Sequence, residues 1–213
     1  MRFKGRSLEN IRAAVLLASS RPYALCVGTM EGRKNNLGLA MVWQAIQSKI
    51  GLRIPRLVFA GQRGWANEEF FSLISRTAKL NGLISLIEGP SDEELAFLYK
   101  NCLFTVYPSY YEGWGLPIGE SLWFGRPVIA SKTSAMPEVG GDAVDYVDPY
   151  DLEALEAAVI KMLDPVYRSQ RAAAAQAMPK RTWREVAEDI RGILEAKLEG
   201  RDNRDLPRDP TNR

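Results

Sequence analysis

Short apolar runs alternate with stretches of helical periodicity along most of the chain. The runs are rich in β-branched and aromatic residues, which predicts strands, whereas apolar positions three or four residues apart predict helices. Because strands and helices alternate, we expect a parallel sheet with helices on both faces, a doubly wound, Rossmann-like α/β fold. The predicted strands are Tyr23–Gly28, Arg56–Gly61, Ile84–Glu88, Leu103–Tyr107, Pro127–Ala130 and Ala143–Val147.

Helices are predicted between these strands and at both ends of the region that carries them. Ser91 and Glu94 have the spacing of a capping box, which marks a helix start. Tyr167 to Lys197 is predicted to be helical with a break at Pro179. The other predicted helices are Leu8–Ser19, Asn35–Gln47, Ala66–Leu80, Ser91–Lys100, one that starts at Leu116 or Pro117, and Asp151–Leu163.

This pattern divides the chain into four parts. They are an N-terminal helix (1–20), the α/β domain (21–165), C-terminal helices (166–199) and a tail (200–213). The tail alternates charges, contains two prolines and has one apolar residue, so we expect it to be disordered.

Ligands of doubly wound folds bind beyond the carboxyl ends of the strands. The loops that follow Val27, Phe59, Ile87 and Tyr107 are therefore the candidates for a binding site.

The loop after the fourth strand carries two glutamates, Glu112 and Glu120, with seven residues between them. Gly113 and Gly115 bracket a turn that leads into a helix, and free amides at a helix N-terminus suit a phosphate. A carboxylate at Glu120, about one turn into the helix, can accept two hydrogen bonds from a diol such as ribose. The alternative is a tight strand-to-helix turn with surface glutamates.

The loop after the first strand, VGTMEGRKNN, places two cations at the same edge of the sheet. Gly28 permits close backbone approach, and Arg33 and Lys34 can meet phosphate oxygens. A solvated basic turn is an equally good interpretation of this loop alone. The loop lacks both the dinucleotide fingerprint and the Walker phosphate loop. The third loop, IEGPSDEEL, could hold a base or ribose, although a capped helix start explains it by itself.

The amino-acid composition excludes several classes of function. The 213 residues carry a net charge of +2 and include no histidine, so histidine catalysis and histidine metal sites are excluded within this chain. Cys26 and Cys102 lie in or beside apolar runs, which predicts buried free thiols in a reducing cytoplasm. No apolar run is long enough to span a bilayer. We expect a cytoplasmic protein, with peripheral placement at the inner membrane face as an option, and no nucleic-acid partner.

These loops together resemble the C-terminal, donor-binding domain of retaining GT-B glycosyltransferases, the group often called glycosyltransferase family 4. The resemblance covers about Tyr23 to Ile190. It rests on segments that run in the family's order: VGTMEGRKN, LVFAGQRGW, SDEELAFLYKNC, VYPSYYEGWGLPIGESLWFGRPVIAS, MPEVGGDAVDYVDP and TWREVAEDI. It implies one half of a GT-B fold and identifies 21–165 as a nucleotide-sugar-binding domain.

The resemblance also implies roles for individual residues. Arg33 and Lys34 would neutralise the donor diphosphate as it leaves, and Glu112 would hydrogen-bond the donor sugar; these are the expected catalytic residues. Glu120 would hold the ribose diol. The remaining expected substrate contacts are Gly28 and Thr29 beneath the phosphates, Glu88 beside the base, and Gly113, Trp114, Gly115 and Leu116 around the phosphate and sugar. The family needs no metal, so none is expected as a cofactor.

The chain departs from the family pattern in one respect. Only about twenty residues precede the first strand, which leaves no room for an acceptor-binding domain. We therefore expect either a donor domain that works with a separate acceptor polypeptide, or a non-catalytic nucleotide-sugar-binding or interaction module. Loops of the RKN type resemble those of mannosyltransferases that build surface polysaccharides, which favours GDP-mannose as donor. An apolar stripe over Thr182 to Lys197 predicts a homodimer or hetero-complex.

Overall fold

The computed structural model describes residues 11–180 and 182–198. The described residues fall into two compact units that divide between Met178 and Pro179. The first unit contains the whole sheet, and the second contains one helix, α10 (Trp183–Leu198). The predicted tail (200–213) lies outside the described residues.

Six parallel strands form a single sheet in the order β3-β2-β1-β4-β5-β6. The predicted doubly wound sheet is therefore confirmed, and each strand lies within one residue of its predicted bounds. The strands are β1 (Tyr23–Val27), β2 (Arg56–Gly61), β3 (Ile84–Glu88), β4 (Phe104–Tyr107), β5 (Val128–Ser131) and β6 (Val144–Val147). The strand order reverses between β1 and β4, so a crevice opens beyond their carboxyl ends.

Helices cover both faces of the sheet and build one hydrophobic core on each. One core packs around Trp43 and Phe104, and the other around Tyr23 and Tyr99. All five residues of β1 are buried, as expected for a central parallel strand. The helices of this unit are α1 (Ala13–Ala18), α2 (Asn36–Ile50), α3 (Glu68–Arg76), α4 (Ala78–Gly82), α5 (Asp92–Asn101), α6 (Leu116–Trp123), α7 (Met136–Gly140), α8 (Leu152–Leu163) and α9 (Pro165–Ala177).

The predicted helix Ala66–Leu80 is wrong at both ends. Ala66 has a φ of 51°, so α3 begins only at Glu68. The hydroxyl of Thr77 accepts a hydrogen bond from the amide of Leu80, and the residues of that turn have positive φ. This left-handed turn, rather than a continuous α-helix, places Leu80 in the core, where it is buried.

The predicted N-terminal helix Leu8–Ser19 is shorter in the structure, where α1 covers Ala13–Ala18. Residues 8–10 lie outside the described part of the chain. Arg12 is extended, with φ of −58° and ψ of 144°, because its amide and guanidinium both bind the Glu94 carboxylate of α5. The short helix α7 was not predicted from the sequence.

Candidate functional site

The loop between β1 and α2 brings two cations to the crevice. Gly28 directly follows β1 and has a φ of 140°, and a Cβ at this position would lie 3.4 Å from Nζ of Lys34. Because glycine has no side chain, Lys34 can lie close over the end of the strand. Thr29, the next residue, is half-buried in the same loop.

A short 3₁₀ turn over Gly32–Lys34 presents both cations, and Asn35 locks it. Asn35 has a φ of 54°, its side-chain amide donates to the Pro149 carbonyl, and its Oδ1 accepts from the Tyr110 hydroxyl at 3.0 Å. The amide of Tyr110 donates in turn to the carbonyl of Arg33. The β1 and β4 loops are thus joined directly beside the two cations.

Glu112 binds both cations. Its Oε1 accepts from Nζ of Lys34 at 2.5 Å, and its Oε2 accepts from NH1 of Arg33 at 2.8 Å. Glu31, which is almost fully buried, holds the Nε of Arg33 at 2.6 Å. Two carboxylates therefore balance two cations. The three residues expected to be catalytic therefore form one cluster. Spacing alone could not establish this, because Glu112 lies 79 positions from Arg33 and 78 from Lys34.

Two serines that the sequence analysis missed hold Glu112. The buried Ser109 donates its hydroxyl hydrogen to Oε1 of Glu112 at 2.8 Å. The Ser134 hydroxyl accepts a hydrogen bond from the Glu112 amide at 3.0 Å. Ser134 has a φ of 51°, a conformation that costs a non-glycine residue energy and that tertiary contacts must hold in place. Only the position of Ser109 within the YPSYYEG loop hinted at its role.

The electrostatics of this cluster favour ionised Glu112. Burial acts to raise the pKa of this carboxyl, but the hydrogen bonds from Lys34, Arg33 and Ser109 and the charge of Lys34 together outweigh burial and leave the pKa lowered from its ordinary value. The side chains of Glu112 and Lys34 are 11% and 12% exposed, whereas that of Arg33 is 44% exposed. Arg33 therefore offers the more accessible cation to an incoming anion.

The N-terminus of α6 lies in the same loop. Gly115 has a φ of 95° and caps the helix, and Pro117 lies in its first turn. The first helical hydrogen bonds run from the amides of Ile118 and Gly119 to the carbonyl of Gly115. Pro117 has no N–H, so the amides of Gly115 and Leu116 are the donors at this helix start that need no partner inside the helix and can meet an anion. The flanking Gly113, Trp114 and Leu116 are all exposed.

Glu120 lies one turn into α6 and has a different environment. Its Oε2 accepts a hydrogen bond at 2.8 Å from the hydroxyl of Tyr99, a fully buried residue of α5. Burial raises the pKa of the Glu120 carboxyl, and the hydrogen bond from Tyr99 opposes part of this effect. The sequence analysis placed Tyr99 only within the predicted helix Ser91–Lys100.

Glu88 ends β3 with an exposed side chain. Its backbone carbonyl accepts from both terminal nitrogens of Arg12, and the carbonyl of Gly89 accepts from one of them. Arg12 thereby ties the segment before β1 to the loop that was expected to lie beside a base. Glu88 and Glu120 thus bind Arg12 and Tyr99 respectively, whereas Gly28, Arg33, Lys34 and Glu112 come together.

The described helices include none that is long and apolar enough to cross a membrane. Within the same residues, no group of three or more histidine, cysteine, aspartate or glutamate side chains is placed to hold a metal ion.

Comparison with known proteins agrees with this architecture. The model of the family described as glycosyl transferases group 1 matches residues 7–181. The O-antigen chain mannosyltransferase B of Escherichia coli is 37% identical over 175 residues, which cover 82% of this chain and 41% of that protein. The serotype-specific mannosyltransferase WbdA of E. coli is 28% identical over 171 residues, covering 78% of this chain and 20% of that protein.

Among solved structures, sucrose-phosphate synthase from Thermosynechococcus elongatus superposes with a TM-score of 0.65 at 24% identity, covering 89% of this chain and 49% of that one. This likeness confirms the expected Rossmann-like fold of GT-B type. The chain spans less than half the length of these three proteins.

Proposed function

The chain belongs to the glycosyl transferases group 1 family, and from this membership we propose that its α/β domain binds the nucleoside-diphosphate sugar of a retaining glycosyltransferase. The sugar is transferred to an acceptor when this domain works with an acceptor-binding domain.

The cluster of Glu112, Arg33 and Lys34 is the observation that carries this proposal. It places two cations and a carboxylate side by side at the crevice between β1 and β4. A departing diphosphate develops negative charge, which cations and amides that are already in place stabilise without reorganisation. In this proposal Arg33, Lys34 and the amides at the start of α6 meet the phosphates.

The two glutamates of the E-x7-E element have separate roles in the proposal. Glu112 accepts hydrogen bonds from hydroxyls of the donor sugar, because it lies beside the phosphate-binding cations. Glu120 accepts hydrogen bonds from the ribose diol, because it lies one helical turn further into α6 and remains partly accessible.

The donor we propose is GDP-mannose. The support is that relatives at 37% and 28% identity are named mannosyltransferases. We also propose that binding needs no metal ion, since two cations and a helix N-terminus can supply the positive charge. Cytoplasmic placement and peripheral association with the inner membrane face stay predictions.

Calorimetric titration in the presence of EDTA tests the donor site. We expect GDP and GDP-mannose to bind the chain weakly, and more tightly than UDP, ADP and their sugars. The Glu120→Ala variant is expected to bind GDP about ten- to one-hundred-fold more weakly, because it loses charged hydrogen bonds to ribose worth roughly 1.5–3 kcal/mol. Glu153→Ala, a change at an exposed glutamate of α8, is the matched control.

If no nucleotide binds at millimolar concentration, the donor-site proposal is wrong. Binding that requires a divalent cation would refute the metal-independent part alone. Binding of nucleotide sugar without turnover, even when an acceptor-domain polypeptide is added, would favour the non-catalytic module.

A further inference from the structure

A chain of buried hydroxyl groups ends on Glu120. The Tyr99 hydroxyl donates to Oε2 of Glu120 at 2.8 Å and lies 3.4 Å from the Tyr107 hydroxyl. The Tyr107 hydroxyl is 3.0 Å from Oγ of Ser121, which also accepts from the Thr105 hydroxyl. The chain runs from β4 to the carboxylate of α6 through residues that are almost completely buried.

The direction of these hydrogen bonds matters, because each hydroxyl has one proton. Ser121 donates its proton to the carbonyl of Pro117 in the first turn of α6, so the Tyr107 hydroxyl donates to Ser121 and has no proton left for Tyr99. Tyr99 donates its own to Glu120, and its ring stacks on Phe124 with centroids 5.4 Å apart and planes 12° apart. The Tyr99 ring therefore cannot move its hydroxyl away from Glu120 without losing a stacked ring contact and a buried hydrogen bond.

We propose that Tyr99 is a positioning residue that holds the Glu120 carboxylate in the orientation needed to accept both hydroxyls of the ribose. The inference rests on the proposed function, since it takes Glu120 to be the ribose-binding group. A glutamate side chain loses conformational freedom when it binds a diol. Because Tyr99 already restricts Glu120 in the ligand-free protein, the loss of conformational freedom on binding is smaller. The carboxylate keeps Oε1 and the second lone pair of Oε2 for the ligand.

The same contact affects the protonation of Glu120. Asp92, at the start of α5, raises the pKa of this carboxyl as burial does, whereas the hydrogen bond from Tyr99 lowers it. Tyr107 is the other titratable group of this network. Gly119 of α6 faces Val139 of α7, and Gly125, two residues after the helix, faces Gln176 of α9; neither of these neighbours titrates. Removing the Tyr99 hydroxyl should therefore raise the pKa of Glu120 further, and a protonated carboxyl is a poorer acceptor for a diol.

The test compares Tyr99→Phe with Tyr23→Phe. Tyr23 lies in the same core, and its buried hydroxyl donates to the carbonyl of Leu98 at 2.7 Å, so both variants lose one buried hydrogen bond. We expect Tyr99→Phe to weaken GDP binding about two- to tenfold at pH 8 and Tyr23→Phe to leave it unchanged. As pH falls, the affinity of Tyr99→Phe should drop at a higher pH than that of the wild type.

Two further arms isolate the contact. With the 2′-deoxy analogue of GDP, the difference between wild type and Tyr99→Phe should shrink toward onefold, because one hydroxyl of the diol is missing. In a Glu120→Ala background, which has no acceptor for the Tyr99 hydroxyl, Tyr99→Phe should have no further effect on GDP binding. That background also shows the part of the pH dependence that comes from the phosphates alone.

Equal losses in Tyr99→Phe and Tyr23→Phe, or a Tyr99→Phe loss that persists with the 2′-deoxy analogue, would overturn the positioning role. An unshifted pH profile in Tyr99→Phe would do the same. If wild-type protein fails to bind GDP at all, the proposed function fails first, and that result is distinct from any of these.

Discussion

Replacing Glu112 by glutamine should tighten the binding of a nucleoside diphosphate and weaken the binding of a nucleotide sugar. In the ligand-free structure Glu112 holds Lys34 at 2.5 Å and Arg33 at 2.8 Å. A phosphate that contacts these cations on the side away from Glu112 therefore lies about 6 Å from the carboxylate, roughly twice the length of one such contact. Glutamine keeps the size of the side chain and removes the negative charge that competes for both cations.

The magnitude follows from Coulomb's law. Two unit charges about 6 Å apart repel by ~2.8 kcal/mol at an effective dielectric constant of 20 and by ~0.7 kcal/mol in bulk water. Because Glu112 is nearly buried while Arg33 is half-exposed, we take an intermediate value of about 1 to 2 kcal/mol. Glu112→Gln should then bind GDP about five- to thirtyfold more tightly than the wild type. GDP-mannose should lose a charged hydrogen bond, a cost of roughly 1.5–3 kcal/mol that offsets this gain.

Calorimetric titration of wild type and Glu112→Gln with GDP and GDP-mannose measures both effects. Glu153→Gln makes the same chemical change at an exposed position of α8 and controls for net charge. Weaker GDP binding by Glu112→Gln would mean that the carboxylate serves mainly to hold the cations in place, and the competition argument would be refuted.

Two more predictions concern stability and association. The hydrogen bonds from Arg12 lower the pKa of Glu94 to about 2 from an ordinary 4.5, so Glu94→Gln should cost about 1 to 2 kcal/mol at pH 7 once the half-exposure of Arg12 is allowed for. Chemical denaturation should show this difference fully above pH 4.5 and show it disappearing as pH falls toward 2; a constant difference contradicts the linkage. The exposed Trp183 and Ile190 of α10 predict self-association or a hetero-complex. Light scattering should show concentration-dependent mass that Trp183→Ser with Ile190→Ser abolishes, and a strict monomer at high concentration speaks against it.

The sequence predicted those features whose signal is local. β1 and β4 are continuous apolar runs, as expected for strands that are buried on both faces of the sheet. The start of α5 was predicted from the spacing of Ser91 and Glu94, which in the structure form both hydrogen bonds of a capping box. The break between α3 and α4 was missed, because Thr77, Ala78 and Leu80 all fit a helical pattern until tertiary burial selects the left-handed turn.

The supports of the site depend on contacts between residues far apart in the chain. Ser134 meets Glu112 from 22 positions away, and Arg12 meets Glu94 from 82 positions away. Neither pairing leaves a periodic signal in the sequence. Tyr99 differs, because it lies within a predicted helix, its ring is buried, and a buried tyrosine hydroxyl needs a partner. The acceptor for this hydroxyl lies in the next helix, at Glu120.

The least predictable property of the site is its charge balance. From the sequence, Arg33 and Lys34 form a basic turn and Glu112 a separate carboxylate, which suggests an empty site with two unpaired cations. In the structure Glu31 and Glu112 neutralise them, so an incoming diphosphate has to share cations that are already engaged. In the proposed function a donor sugar would change this balance, since its hydroxyls would give Glu112 new hydrogen-bond donors while the phosphates take the cations. Once the sugar has left, Glu112 competes for the cations again. The same carboxylate would then favour binding of the sugar nucleotide and release of the diphosphate product.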